Sequence, residues 1–324
     1  MGWAMAAPNM IPPASAPEFL DRAGWGGAVI TPLAGDASFR RYFRILGPNG
    51  NAVLMDAPPP HEDTRPFLMV ADHLHRLGFA APRILARDTD AGLVLLEDFG
   101  DDRMREALDA DPSREAAIYT QAIDLIRDLH QHPGGDLPPY DMAVYQREAG
   151  LFPEWYMPAV GLDVPPGWSE AWAEALAPIA NDQSTTVLRD YHAENIMLLP
   201  DGSLGLLDFQ DALAGHAAYD LVSLLQDARR DVSPELEARM LDYYGPVDRA
   251  AYALLGAQRN AKILGIFTRL WKRDGKSRYL AFQPRMWAYM ERDLQHPALA
   301  PVKAWFDVHV PAEKRAAYWR DFRP

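Results

Sequence analysis

Between Ala28 and Glu97, apolar and polar positions alternate in short runs separated by Gly, Pro, Asn and Asp. That period of two belongs to pleated strands with one buried face. The runs are Ala28–Leu33, Phe39–Leu46, Ala52–Ala57, Ile84–Arg87 and Leu93–Glu97. Pro48-Asn-Gly-Asn51 predicts a hairpin turn between the second and third, with Asn-Gly supplying positive φ angles. Pro58-Pro-Pro60 stops the third run. The period then changes to that of a helix, with Phe67, Val70, Leu74 and Leu77 on one face and Gly78 as its stop. Upstream, Ser15-Ala-Pro-Glu18 has the form of a capping box that opens a short helix ending near Gly24. These residues predict an antiparallel sheet of about five strands with one helix inserted after the third.

Beyond Gly100 the helical period takes over. Residues 113–131 place Ile118, Ala122, Leu125 and Leu129 on one face, and more helix is expected through 143–180. A short strand pair, Thr186–Arg189 and Ile196–Leu206, hinges at Pro200-Asp-Gly202. After Gly215 nearly every segment reads as helix. The expected class is α+β, with residues 1–17 a loose leader, 18–97 a β-rich lobe, and 98–324 a larger, mainly helical lobe. No internal repeat is visible.

Composition narrows the chemistry. The chain has 324 residues, 48% hydrophobic and 24% charged, an ordinary globular balance. It has no cysteine, which excludes disulfides, thiolate metal sites and a cysteine nucleophile. A net charge of −13 argues against a broad nucleic-acid surface but leaves room for small phosphorylated ligands. No apolar run of about 18 residues suggests a membrane span. Met1-Gly2 lacks the Ser or Thr that myristoylation wants, since Ala6 stands there. A cytoplasmic monomer acting on small molecules, without nucleic-acid or membrane partners, is the expectation. All five lysines lie at or beyond Lys262.

The densest constellation of chemistry is Arg189-Asp190-Tyr191-His192-Ala193-Glu194-Asn195, followed by Asp208-Phe209-Gln210-Asp211. Asn and Asp are hard-oxygen ligands suited to Mg²⁺, which binds few protein groups and takes its other ligands from phosphates and water. The first Asp is left to accept a proton from an incoming hydroxyl. That division of labour suits phosphoryl transfer.

This pattern resembles the kinase-like phosphotransferases, in particular the aminoglycoside-phosphotransferase branch. Within it, Gly35-Asp-Ala-Ser-Phe-Arg-Arg-Tyr42, Leu54-Met-Asp-Ala-Pro58, Leu95-Leu-Glu-Asp-Phe-Gly100, Leu207-Asp-Phe-Gln-Asp211 and Tyr219-Asp-Leu221 resemble bacterial N-acetylmuramate/N-acetylglucosamine anomeric kinases. The resemblance implies a bilobal protein-kinase-like fold and ATP-dependent phosphorylation of an amino-sugar C1 hydroxyl during cell-wall sugar recycling. It implies Asp190 as the base or hydroxyl-positioning residue, and Asn195 and Asp208 as Mg²⁺ ligands. Gly35, Asp36, Ala37 and Ser38 would form the phosphate-covering turn. Leu96, Glu97, Asp98 and Phe99 would form the hinge that reads adenine. Asp220 would brace the catalytic loop.

Two departures stand out. The third strand ends Val53-Leu-Met-Asp56 where the resemblance expects a phosphate-binding lysine, so Arg40, Arg41 or Arg44 is expected to take its place. Alternation puts Arg40 and Arg44 on one face and Arg41 on the other. Leu188 stands where the motif has His. Asp211 is placed either at the sugar or as a cap of the next helix. Arg259, with Asn260, Lys262 and Arg269, is read either as facing the sugar or its lactyl carboxylate or as a solvated helix face. Trp155, Tyr156, Trp168 and Trp172 are read as core, with sugar stacking as the other role. Two other readings keep this fold. One is a kinase of another hydroxyl acceptor, such as an aminoglycoside or choline; the other is a nucleotide-binding protein without catalysis.

Overall fold

The computed structural model describes residues 10–35 and 40–315. Helix α1 (Ala16–Arg22) leads into strands β1 (Val29–Gly35), β2 (Arg41–Gly47) and β3 (Gly50–Asp56). Helix α2 (Arg65–Arg76) precedes β4 (Ile84–Asp88) and β5 (Leu93–Glu97). Then follow α3 (Met104–Ala110), α4 (Glu115–Leu129), α5 (Met142–Ala149), a π-helical turn over Phe152–Tyr156, α6 (Met157–Ala159) and α7 (Trp168–Leu176). Four short strands come next, β6 (Thr185–Val187), β7 (Ile196–Leu198), β8 (Leu204–Leu206) and β9 (Leu213–Gly215). The chain continues as α8 (Ala218–Leu225), α9 (Pro234–Tyr244), α10 (Arg249–Lys272), α11 (Gln283–Asp293) and α12 (Ala300–His309).

The chain forms two compact units. One takes the residues up to Ala107 together with Glu194–Asp211, and the other takes Leu108–Ala193 and everything from Ala212. The first unit thus runs ten residues past the boundary read from the sequence and also claims a later hairpin. Backbone bonds explain this: Leu206 N–H donates to Ala80 O at 2.8 Å, and Leu198 N–H to Asp102 O at 2.7 Å.

In the first unit the five strands form one antiparallel sheet of order β1-β2-β3-β5-β4. One face buries Phe43, Ile45, Ala52, Leu54, Leu93 and Leu95 against Ala16, Phe19, Leu20 and Trp25. Helix α1 therefore belongs to the core, and the last two positions assigned to a leader are inside it. Ser15 makes no side-chain cap bond; Pro17 in the first turn starts the helix instead. The β2–β3 turn is Pro48-Asn49, and Gly47 pairs with Gly50. Only Gly50 has positive φ there, +102°. Pro48, with φ fixed at about −65°, suits the first central position of an ordinary turn, so the turn sits one residue earlier than expected.

The second unit is built around α10, whose middle is buried on nearly all sides. Asp248 caps it, accepting from the Ala250 and Ala251 amides. Its polar run Gln258-Arg259-Asn260-Ala-Lys262 is buried too, and Gln258, Arg259, Asn260 and Lys262 each donate to another buried group. The expected pairing of Thr186–Arg189 with Ile196–Leu206 is corrected. β7 and β8 pair with each other across Pro200-Asp-Gly202, while β6 pairs with β9. Three-residue strands give too little alternation to be seen in a sequence. Among the described residues no helix is long and apolar enough to cross a membrane.

Candidate active site

In the first unit the β7–β8 hairpin ends in Asp208-Phe209-Gln210. Phe209 is buried and stacks on Phe67 of α2, with ring centroids 5.0 Å apart. That anchor leaves Asp208 exposed beside it, with φ of +55°. Among the described residues only Asp208 and Arg189 combine a side chain with positive φ. Left-handed backbone at a non-glycine residue is strained and collects at functional sites. The Asp208 carboxylate accepts from Gln210 Nε2 at 2.7 Å, while Asn195 Nδ2 lies 3.5 Å from its other oxygen. Leu207 N–H donates to Asn195 O at 2.9 Å, which fixes the two residues side by side. An Asn amide and an exposed carboxylate side by side are a fitting donor set for Mg²⁺. Among the described residues no cluster of three or more His, Asp or Glu side chains forms another metal site.

Gly35 ends β1 opposite Arg41, whereas Asp36, Ala37 and Ser38 lie outside the described residues. Each arginine after them has a carboxylate. Arg40 Nε donates to Glu62 at 3.0 Å. Arg41 donates to Asp56, its cross-strand neighbour, at 2.8 Å. Arg44 pairs with Asp98 and Asp101, both at 2.8 Å. Arg41 shares its face of the sheet with Phe43 and Ile45, the face buried under α1. Arg44 points to the other face, with Val53 and Leu96 in its row. Tyr42 lies on that same face. Burial and the nearby Asp208 carboxylate push its hydroxyl up to about 12.

The segment Leu96–Phe99, where a hinge is expected, is held by bonds of its own residues. Leu96 is buried in β5. The Glu97 amide donates to Arg83 O at 2.9 Å, and its carboxylate pairs with Arg83. Asp98 also accepts from the Gly100 amide at 2.9 Å. The Phe99 ring lies on Gly205 so closely that an added Cβ there would come within 2.7 Å of it.

Of the candidate catalytic loop, the residues up to Ala193 belong to the second unit, while Glu194 and Asn195 belong to the first. Asp220, fully buried on α8, accepts from the Leu188 and Arg189 amides at 2.8 and 2.9 Å. The bracing thus reaches the backbone, and Leu188 only has to fill its buried place. Asp190 follows, half-buried. Burial pushes its carboxyl up, but Lys262, Arg189, His192 and Arg259 outweigh that and hold it below the ordinary aspartate value. His192 is buried, and burial drives its imidazole down to about 4, so it is neutral at pH 7.

Glu148 on α5 ties this cluster together, and the sequence reading did not single it out. It accepts from Lys262 Nζ at 2.9 Å, from Arg189 and from the Tyr140 hydroxyl. The signal was a carboxylate in the apolar stripe Tyr145-Glu148-Ala149 of an otherwise amphipathic helix. Arg259 donates to Ser223 Oγ at 3.0 Å, and Ser223 in turn donates to Arg189 O at 3.0 Å. Asn260 does not join them; it bonds Gln226 and Asp293 in a separate buried network. Asp211 is exposed and caps no helix, since α8 is preceded by Ala217. Tyr156, Trp168 and Trp172 are core, packed with Phe152, Trp287 and Phe306.

The pattern of the phosphotransferase enzyme family matches residues 29–255. The chain belongs to that family. A relative from Caulobacter vibrioides named N-acetylmuramate/N-acetylglucosamine kinase is 38% identical over 92% of this chain and 96% of its own length. One of the same name from Pseudomonas aeruginosa is 38% identical over 88% of this chain and 90% of its own. Solved structures extend the likeness of fold. Spectinomycin phosphotransferase APH(9)-Ia, in complex with ADP and spectinomycin, superposes with a TM-score of 0.63 at 12% identity, covering 91% of this chain and 99% of that one. Choline kinase LicA from Streptococcus pneumoniae gives 0.57 at 13% identity, covering 84% and 94%. The protein-kinase-like α+β fold expected from the sequence is therefore the fold of this phosphotransferase.

Proposed function

We propose that this phosphotransferase uses ATP to phosphorylate the anomeric C1 hydroxyl of N-acetylmuramate and N-acetylglucosamine, as a cytoplasmic monomer serving cell-wall sugar recycling. The observation that supports it most is the 38% identity to the Caulobacter kinase along almost the whole chain, together with an intact Asp190, Asn195 and Asp208. In this reading Asp190 accepts a hydrogen bond from the C1 hydroxyl and aims its oxygen at the γ-phosphorus. The oxygen–phosphorus bond forms as the bond to ADP breaks, and the hydroxyl proton passes to Asp190. Because cations keep Asp190 ionised, it is a weak base for an ordinary alcohol. A hemiacetal hydroxyl is more acidic, and it becomes more so as its oxygen bonds phosphorus, so transfer late in the step suits this carboxylate. Asn195 and Asp208 would hold Mg²⁺, which supplies neutralising charge to the β- and γ-phosphates. Gly35 to Ser38 would cover the phosphates with backbone amides. Arg44, with Arg40 beside it, would add positive charge there. Leu96 to Phe99 would form the adenine edge, and Asp211 would stand at the acceptor end.

The test is chemical. ATP–Mg²⁺ and either sugar should yield ADP and a product that no longer reduces alkaline copper, because C1 is blocked. The 1-O-methyl glycosides should be inert. Turnover of the methyl glycosides, or a product that still reduces, would move the acceptor hydroxyl elsewhere on the sugar.

A further inference from the structure

Three permanent cations act on Asp190: Lys262, Arg189 and Arg259. Glu148, Asp220 and Asp227 are the other buried carboxylates of this neighbourhood. Lys262 and Arg189 both pair with Glu148. Arg259 pairs with no carboxylate among the described residues. It is 3% exposed, one terminal nitrogen donates to Ser223, and the other, Nη1, is buried without a hydrogen-bond partner. A guanidinium does not shed its proton, so its charge stays. A buried, incompletely matched cation is costly unless something supplies the missing anion.

The same face of α10 repeats the feature one step outward. Arg259, Lys262, Ile266 and Arg269 are spaced i, i+3, i+7, i+10, an arc of about 80° on a helix of 3.6 residues per turn. Arg269 is half-buried, forms no ion pair among the described residues, and its Nε is buried without a partner. Ile266 and Lys262 lie between the two arginines. In a chain of net charge −13, this is a local stripe of positive charge that starts at the catalytic loop. It lies in the unit that carries Asp190, whereas Asn195, Asp208 and Arg44 lie in the other.

We propose that Arg259, with Arg269 behind it on α10, binds a carboxylate carried by the acceptor sugar, and so makes this enzyme prefer acidic over neutral amino sugars. This rests on the sugar-kinase reading above. The two sugars in the relatives' name differ in this group: N-acetylmuramate bears a lactyl carboxylate at O3 and N-acetylglucosamine has a hydroxyl there. Arg259 takes the carboxylate in a charge-assisted bond to Nη1, and Lys262 remains with Glu148.

The neutral sugar is the internal control. The ratio of kcat/KM for N-acetylmuramate to that for N-acetylglucosamine should fall about 10- to 100-fold in Arg259→Gln, the scale of one lost charge-assisted bond. The half-buried Arg269→Gln should lower it less, and it decides the matter if Arg259→Gln does not fold. In the wild-type enzyme the methyl ester of N-acetylmuramate should react with the efficiency of N-acetylglucosamine. Raised salt should raise KM for the acid and leave KM for the neutral sugar alone. An unchanged ratio in the variants, equal losses for both sugars, or an ester that matches the free acid would each overturn the proposal. A wild-type enzyme that phosphorylates neither sugar would instead overturn the reading on which it rests.

Discussion

Two sets of arginines, Arg40, Arg41 and Arg44 in one unit and Arg259 and Arg269 in the other, are matched in opposite ways. In the sheet-bearing unit Arg40, Arg41 and Arg44 are each matched to a carboxylate, by cross-strand register for Arg41 and across the end of β5 for Arg44. In the helical unit Arg259 and Arg269 have no carboxylate partner among the described residues, while Glu148 alone serves both Arg189 and Lys262. In the sheet, register alone puts Asp56 across from Arg41. Under the further inference above, the match that Arg259 lacks inside the protein comes from the acceptor's carboxylate. That unmatched charge lies in the unit that carries Asp190.

The largest effect should come from removing the carboxylate on which that charge acts. Asp190→Asn preserves shape but cannot take the proton. Its kcat should fall about 10²–10⁴-fold, the usual worth of a positioned general base. ATP affinity, measured separately by calorimetry, should stay near wild type. A variant with wild-type turnover would show that the cation cluster has another purpose.

Next comes the hub that joins the cations. Glu148 is buried, and Lys262, Arg189 and the Tyr140 hydroxyl lower its carboxyl, against the opposing effect of burial, to about 2. A shift of that size corresponds to about 3 kcal/mol of stability. Its sign is fixed: the stability is present above pH 4.5 and lost as pH falls toward 2. His192 adds an earlier stage. Burial holds its imidazole near 4, so the folded state resists its protonation, and stability declines from about pH 6.5 down to 4. Acid unfolding should therefore show two stages. Glu148→Gln should be less stable at pH 7 by about 3 kcal/mol, with the lower stage gone and the upper one kept. A variant as stable as wild type would mean that Lys262 and Arg189 do not depend on this carboxylate.

The same contrast explains what was legible beforehand. The five-strand sheet could be read almost residue by residue, because a period of two, a proline stop and glycine turns are all local signals. The neighbourhood of Asn195 and Asp208 was legible because a tight hairpin separates them, which is a local signal as well. The pairing of β6 with β9 was not, since two three-residue strands 25 residues apart leave no periodic trace. Nor was Glu148, whose partners Arg189 and Lys262 lie 41 and 114 residues away. Sequence adjacency groups Asn260 with Arg259, and the structure separates them. Adjacent residues on a helix point about 100° apart, and Asn260 turns into a different buried network. Contacts assembled from α5, the catalytic loop, α8 and α10 exist only once the helices have packed.

The smallest effect is expected from the matched side of the comparison. Arg44 is the arginine on the face opposite α1, but Asp98 and Asp101 already draw on its charge. What it offers to phosphate is reduced accordingly, so Arg44→Ala should weaken ATP–Mg²⁺ binding only about tenfold, roughly 1.5 kcal/mol, the low end for a charge-assisted bond. Asp101 is exposed and shares Arg44 with the buried Asp98. If Arg44 faces phosphate, Asp101→Asn frees part of its charge, and ATP should bind slightly tighter. If Arg44 only fastens β2 to the segment after β5, Asp101→Asn should weaken ATP in the same direction as Arg44→Ala. Opposite signs in the two variants would give the nucleotide end of this enzyme a cation of its own; equal signs would leave its phosphates to the metal and the backbone amides.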